Sequence, residues 1–232
     1  MSKKPELTHA QQFQEVFKSL SQRHGSRKIW DDFILMSACS ISTAVDKAMF
    51  EQREQMYMRI IQGYTKDELD KMTQLFALTV LALEENPDQD FLGDIFNELR
   101  LFNERKGQHF TPYNVGKMMA QMQLGNLAAE IKENGFFSIS DCCCGAGRLL
   151  IAAANAAREQ GVNYQRDIVF VAQDIDFTVA MMAYVSLSLL GCVGYVAVGN
   201  TLRPEPPSPE NIWYMPMNIL HGKRLEEFYQ SQ

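Results

Sequence analysis

The stretch from Phe136 to Leu150, with the sequence FFSISDCCCGAGRLL, constrains the fold of this chain more than any other. Its apolar start predicts a buried strand, Gly145 and Gly147 predict a tight turn, and the apolar residues after the turn predict a helix. Glycine lets the backbone approach a ligand closely, and the first turn of a helix offers free N–H groups. With Asp141 at the strand end, the pattern favours a site for a nucleotide-like ligand over an ordinary strand-to-helix turn.

Beyond this turn, strand patterns alternate with helical patterns. Residues 168–172 form a continuous apolar run, residues 177–190 have helical character, and residues 194–198 predict a third strand. The alternation predicts an α/β domain with a parallel sheet, in which ligands bind at the carboxyl ends of the strands. The polar residues that end the three strands, and that we expect to face one crevice, are Asp141, Asp174 and Asn200.

Two of these polar residues suit parts of a nucleoside. A carboxylate accepts two hydroxyl hydrogen bonds, as a ribose diol requires, and Asp174 stands at the end of the second strand. Asn200 offers a donor and an acceptor to a purine edge. Taken singly, each also has a simpler interpretation, since Asp174 fits a solvated strand end and Asn200 fits a turn.

The residues before the first strand have helical patterns only. We predict a helical N-terminal domain over residues 1–104 and an α/β domain over residues 105–232. A capping box at Thr65–Glu68 predicts the start of one helix. The amphipathic pattern after Pro112 predicts another helix. Its three methionines, which we expect to pack inside the protein, are Met118, Met119 and Met122.

The composition narrows the class of protein. The chain has 232 residues, a net charge of −6 and no apolar run of membrane-spanning length, which predicts a cytoplasmic protein without a membrane segment. Five cysteines, three of them adjacent at positions 142–144, fit neither a disulfide framework nor the ligand spacing of zinc sites. We therefore expect no metal. The net negative charge does not indicate nucleic-acid binding, although it does not exclude such binding.

Four segments between residues 90 and 202 carry a resemblance to a known family. They are DFLGDIFNEL, GQHFTPYNVGKMM, DCCCGAGRLLIAA, and AQDID with GNTL. In this order they resemble the motifs of the N-6 adenine-specific DNA methylases, particularly the modification subunit of type I restriction systems. The helical half also resembles the N-terminal domain of that family.

The resemblance implies a Rossmann-like core that uses S-adenosylmethionine to methylate the N6 amino group of adenine in DNA. DNA is then a partner, together with a second copy of the chain or a partner methylase or specificity subunit. The residues that the resemblance implies for cofactor binding are Phe110, Thr111, Pro112, Asp141, Cys144, Gly145, Gly147, Asp174, Ile175 and Asn200.

One part of the family pattern is not recognisable. The family carries [DNS]-P-P-[YF] at the end of the fourth strand, where it holds the target amino group and stacks on the flipped base. The fourth-strand pattern here ends in MPMN, so the catalytic candidates are Met215, Pro216 and Asn218. Met215 cannot accept as an amide or carboxylate does, and Asn218 cannot stack. The Pro-rich segment 205–208 lies too close to the third strand to be the end of a fourth strand. The sequence predicts four strands in total, so we expect a truncated parallel sheet.

These observations support three hypotheses for the function. The first is a DNA adenine-N6 methyltransferase, and the second is a cofactor-binding subunit that needs another chain for catalysis and DNA recognition. The third is a cofactor-binding or interaction protein, such as a scaffold, without methyl transfer. The sequence fits a nicotinamide dehydrogenase poorly, because the acidic residue of such an enzyme lies about 20 residues beyond the glycine turn. Asp174 lies well beyond that distance.

Overall fold

The structure is a computed structural model that describes residues 7–102, 111–203 and 205–220. The helices within these ranges are α1 (His9–His24), α2 (Ser26–Val45), α3 (Phe50–Ile61), α4 (Lys66–Glu85), α5 (Phe91–Glu98), α6 (Tyr113–Gln123), α7 (Leu127–Asn134), α8 (Arg148–Glu159), α9 (Tyr164–Asp167) and α10 (Phe177–Leu189). The strands are β1 (Phe137–Asp141), β2 (Ile168–Asp174), β3 (Val193–Val198) and β4 (Ile212–Tyr214). This arrangement of helices followed by a mixed α/β unit is the predicted fold class.

The helices before the sheet pack around aromatic side chains. Phe13 of α1, Trp30 of α2 and Phe96 of α5 are fully buried, and the rings of Trp30 and Phe96 lie 5.5 Å apart between centroids. The capping box predicted for the start of α4 is present, because Thr65 accepts a hydrogen bond from the Glu68 N–H and Glu68 accepts one from the Thr65 N–H. It satisfies N–H groups that the first helical turn would otherwise leave unpaired.

The four strands lie in the order β1-β2-β3-β4. The first three are parallel, with Asp141 beside Ala172 and Asp174 beside Val198, so their carboxyl ends meet at one edge of the sheet. The fourth strand corrects the prediction of an all-parallel sheet, because β4 pairs with β3 in the antiparallel direction. A parallel pair needs a crossover connection, usually a helix. The described residues between β3 and β4 contain only a short 3-10 helix, Pro209–Asn211.

One hydrophobic core continues from the N-terminal helices into the sheet. α8 and α10 pack on the sheet, and α2 packs on α10. Arg53 of α3 reaches the edge strand β4, where it is buried and donates to Asp46 Oδ2 and to the carbonyl of Ile212, each at 2.7 Å. Its guanidinium lies 4.1 Å from the ring centroid of Trp213. Arg53 therefore joins the N-terminal helices to the β4 edge, whereas β1 forms the opposite edge.

The methionines of α6 are not packing residues as predicted. Met118, Met119 and Met122 are 55%, 38% and 77% exposed. Small residues make the contact with α8 instead, since a Cβ added at Gly116 would lie 2.9 Å from Cδ2 of Leu149. Close approach of two helices favours small side chains at the contact, which leaves the long apolar side chains of α6 on its outer face.

The structure also describes the state of the cysteines, the possible metal ligands and the possible membrane-spanning helices. Cys142 and Cys143 are exposed thiols, and the other three cysteines are buried thiols. Across residues 7–102, 111–203 and 205–220, no cluster of three His, Cys, Asp or Glu side chains is placed to hold a metal ion. In the same ranges no helix combines the length and the apolar character that crossing a membrane requires.

Candidate functional site

A cleft of about 830 Å³ lies at the carboxyl ends of the three parallel strands. The three polar strand ends all line it, as predicted from the topology. The sequence-predicted residues that line the cleft are Thr111, Asp141, Cys144, Gly145, Asp174, Ile175 and Asn200. Two others lie beside it, Gly147 at the start of α8 and Pro112 at the start of α6. Phe110 lies outside the described residues.

The glycine turn connects β1 to α8 and requires its glycines. Gly145 and Gly147 have φ values of 53° and 86°, in the left-handed region that side chains disfavour. A Cβ at Gly147 would lie 3.1 Å from Cβ of Ala183, so the turn also packs closely on α10. The Cys144 N–H donates to the carbonyl of Gln173 at 2.9 Å, which ties the turn to the end of β2.

Asp174 holds the same turn from the neighbouring strand. Its Oδ2 accepts from the Gly145 N–H at 2.8 Å, and its Oδ1 accepts from the Asp176 N–H at 2.9 Å. An ionised carboxylate has about four lone-pair sites, so two backbone bonds leave acceptor capacity for hydroxyl groups. The sequence pointed to a ligand contact at this residue but not to its bond with the glycine turn.

Asp141 has one oxygen without a partner. Its Oδ1 accepts from the Cys143 N–H at 3.1 Å, whereas its Oδ2 is buried and makes no hydrogen bond. Burial raises the pKa of Asp141, the nearby Asp174 raises it further, and the Cys143 N–H opposes both. An unsatisfied buried carboxylate oxygen is costly. Because Asp141 lines the cleft, rotation of its carboxyl group toward the cleft would let a cationic donor remove that cost.

The third strand end combines a turn with apolar side chains. Asn200 Oδ1 accepts from the Leu202 N–H at 3.0 Å, which is the turn interpretation considered for this residue, and Asn200 nevertheless lines the cleft. Ile175 and Leu202 also line it and are 70% and 92% exposed. Thr201 Oγ1 donates to the carbonyl of Cys142 at 2.6 Å, so the loops after β1 and β3 are linked.

Sequence reasoning did not single out Arg148 as a functional residue. Arg148 is buried, and Nε donates to Asp90 Oδ2 at 2.7 Å while Nη2 donates to Asp94 Oδ1 at 2.6 Å. Its Nη1 donates to the carbonyl of Thr111 at 3.2 Å. Asp90 also caps α5 by accepting from the Gly93 N–H at 2.9 Å. A charged residue within an apolar helix start was the signal in the sequence.

The proposed catalytic candidates do not reach the cleft. Because β4 is antiparallel, its end lies beside the start of β3, where Tyr214 pairs with Tyr195. Met215 is buried, and its N–H donates to the carbonyl of Gly194 at 3.0 Å. The side chain of Asn218 accepts from the Gly194 N–H at 2.8 Å and donates to its carbonyl at 2.7 Å. This placement, which Pro216 shares, corrects the expectation that the fourth strand ends at the crevice.

Similarity to known proteins is found in both the sequence and the structure. No curated protein matches the chain. The crystal structure of a type I restriction-modification system methyltransferase subunit from Streptococcus thermophilus is similar over 85% of this chain, with 18% sequence identity and a TM-score of 0.43. This chain covers 41% of that protein's chain. The sequence profile described as N-6 DNA Methylase matches residues 87–219, more than half of the chain. The chain therefore belongs to the N-6 DNA methylase family.

Proposed function

We propose that the cleft binds S-adenosylmethionine, which the family uses, and that the chain is a DNA adenine-N6 methyltransferase of the restriction-modification type or its cofactor-binding part. The observation that carries the proposal is the buried, unpartnered Oδ2 of Asp141 beside the glycine turn. The amino acid part of S-adenosylmethionine carries an ammonium group, which would give this oxygen a charged donor once the carboxyl group turns toward the cleft.

The other cleft residues fit the nucleoside part of the same ligand. Asp174 has acceptor capacity for the two ribose hydroxyls beyond its two backbone bonds. Ile175 and Leu202 offer exposed apolar surface for the faces of an adenine ring. The amide of Asn200 offers a donor to the ring edge, because Oδ1 is engaged with the Leu202 N–H.

Methylation of an adenine amino group requires little proton transfer by the protein. When bound, the cofactor supplies an electrophilic methyl group. The adenine amino group would take this methyl group, leave S-adenosylhomocysteine and release a proton afterwards, so the residues of the chain would act by holding the ligand in line and by electrostatics. Asp141 and Asp174 would hold opposite parts of the ligand, and Gly145 keeps the intervening wall free of a side chain.

A second candidate function is a cofactor-binding subunit that relies on another chain for catalysis and DNA recognition. The observation that favours it is the composition of the cleft. Among the lining residues in the described part of the chain, none has an aromatic side chain for stacking on a flipped base. Met215 and Asn218 lie at the other end of the sheet.

Calorimetric titration of the chain with S-adenosylmethionine and S-adenosylhomocysteine tests the cofactor proposal. We expect each ligand to bind at one site with micromolar affinity. Asp141→Ala should abolish this binding, and Asp67→Ala, a substitution at an exposed residue of α4, should retain it. Methyl transfer to unmethylated DNA then separates the candidates. Transfer by the chain alone supports the methyltransferase, and transfer only after addition of a second methylase or specificity subunit supports the cofactor-binding subunit. A well-folded chain that binds neither ligand would contradict both.

A further inference from the structure

We propose that Arg148 is a positioning residue that holds the Thr111 side of the cleft in place for the ligand. The inference rests on the proposed function, because it assigns Arg148 a role in the same site. Arg148 and Thr111 both line the cleft, and Nη1 of Arg148 donates to the Thr111 carbonyl at 3.2 Å. The bond joins the first residue of α8 to the segment that leads into α6.

The guanidinium is itself fixed by two carboxylates of α5 and its cap. Nε donates to Asp90 at 2.7 Å and Nη2 donates to Asp94 at 2.6 Å. Asp90 is fully buried, and its other oxygen accepts from the Gly93 N–H at 2.9 Å. Charge-assisted bonds of this kind hold a planar guanidinium in one orientation. The position of the Nη1 donor is therefore set by α5 before any ligand arrives.

The Thr111 carbonyl in turn fixes the start of α6. Pro112 follows Thr111 directly, and the Pro112 carbonyl accepts from the N–H groups of Val115 and Gly116 at 3.0 and 3.1 Å. Gly116 packs against the side chain of Leu149, the neighbour of Arg148. Two adjacent residues of α8 thus hold the beginning of α6, one by a hydrogen bond and one by packing. A shift of the guanidinium would move the wall of the cleft that Thr111 forms.

Lysine cannot replace arginine in this arrangement. The three nitrogens of Arg148 donate to three acceptors, two of them in α5 and its cap, at Asp90 and Asp94, and the third at Thr111. A lysine ammonium is a single nitrogen, which can stay with the buried Asp90 but cannot also span to Thr111. Arg148→Lys therefore keeps a cation beside Asp90 and removes the hold on the cleft wall. This separates positioning from the simple loss of a buried ion pair.

The test compares binding of adenosine with binding of S-adenosylhomocysteine by calorimetry. In the proposed function Asp174 and Asn200 take the nucleoside, and we assign the amino acid part of the ligand to the side of the cleft lined by Asp141 and Thr111. Arg148→Lys should weaken S-adenosylhomocysteine about tenfold, the equivalent of one lost hydrogen bond, and change adenosine by less than about twofold. The matched control is Arg53→Lys, which alters a buried arginine at the β4 edge and should leave the ratio of the two affinities unchanged.

Hydrogen exchange without ligand provides a second readout. Arg148→Lys should speed exchange of the Val115 and Gly116 amides relative to the amides of α4, and Arg53→Lys should not. Equal losses of affinity for both ligands, or wild-type exchange at Val115 and Gly116, would overturn the role of Arg148. A wild-type chain that binds neither ligand would overturn the proposed function, whereas the exchange measurement would still decide whether Arg148 holds the Thr111 segment.

Discussion

The backbone N–H of Gly145 donates a 2.8 Å hydrogen bond to the carboxylate of Asp174. The bond joins the turn after β1 to the end of β2, and it adds a side-chain contact to the backbone bond between Cys144 and Gln173. A residue assigned to the ribose of the ligand therefore also shapes the loop proposed to approach that ligand. Substitutions at Asp174 are expected to alter both the contact and the loop.

Asp174→Ala should weaken binding of S-adenosylmethionine by about 1–3 kcal/mol, the usual cost of removing a hydrogen-bonding carboxylate. The loss combines missing bonds to the ligand with a loosened Gly145 turn. Titration calorimetry measures the affinity, and Asp67→Ala, a substitution at an exposed residue of α4, serves as the control. Wild-type affinity in Asp174→Ala would remove this residue from the site.

Asp141 should make stability depend on pH. Because burial raises the pKa of Asp141, its carboxyl group binds a proton more tightly in the folded chain than in the unfolded chain. The contribution of Asp141 to the free energy of unfolding therefore falls as pH rises from the ordinary aspartate value to the raised value, and is constant above it. Asp141→Asn does not titrate, so its stability relative to wild type should increase through that window. Urea unfolding across the acidic range measures the difference, and a constant difference would contradict the raised pKa.

Gly147→Ala should destabilise the turn between β1 and α8. A side chain at a φ of 86° is strained by roughly 1–2 kcal/mol, and its Cβ would lie 3.1 Å from Cβ of Ala183. Urea unfolding of Gly147→Ala, Ala183→Gly and the double variant separates the two causes. We expect the double variant to be more stable than the sum of the single effects predicts, because the second change removes the 3.1 Å contact with Cβ but neither the strain nor the 3.2 Å approach to Cα of residue 183. Strict additivity would mean that Ala183 does not limit the turn.

Local patterns and parallel topology sufficed to predict the cleft. A strand, a glycine turn and a helix are encoded within a few residues of each other, and parallel strands bring their carboxyl ends together wherever they occur. Asp141, Asp174 and Asn200 were therefore placed correctly around one cleft. The assignment of individual ligand contacts to these residues stays a prediction.

The parts that could not be predicted depend on contacts between distant segments. Arg148 and Asp90 are far apart in sequence, so nothing local indicates that one neutralises the other. The direction of β4 depends on the connection that leads into it from β3, and an apolar run has the same pattern in either direction. The outward position of Met122 depends on the small residues of α6 taking the contact with α8. Each of these outcomes is decided by packing in three dimensions.

Asn218 should support the sheet and have no part in the cleft. Its side chain makes two hydrogen bonds to the backbone of Gly194, with the N–H and with the carbonyl, at 2.8 and 2.7 Å. Alanine leaves the Gly194 N–H without this partner and leaves the Gly194 carbonyl with only its bond from the Met215 N–H, so Asn218→Ala should lower the free energy of unfolding by about 1–3 kcal/mol. Because this end of the sheet lies opposite the cleft, affinity for S-adenosylmethionine should be unchanged.

Urea unfolding and calorimetric titration of the same preparations check both parts of this prediction. Asn211→Ala is the matched control, since its side chain donates at 3.1 Å to Ser208 in the connection before β4 and should cost less stability. A loss of affinity or of methyl transfer in Asn218→Ala without a loss of stability would return the end of the fourth strand to the functional site. An unchanged affinity with reduced stability would assign Asn218 to the fold alone, because the antiparallel strand carries it to the amino-terminal end of β3.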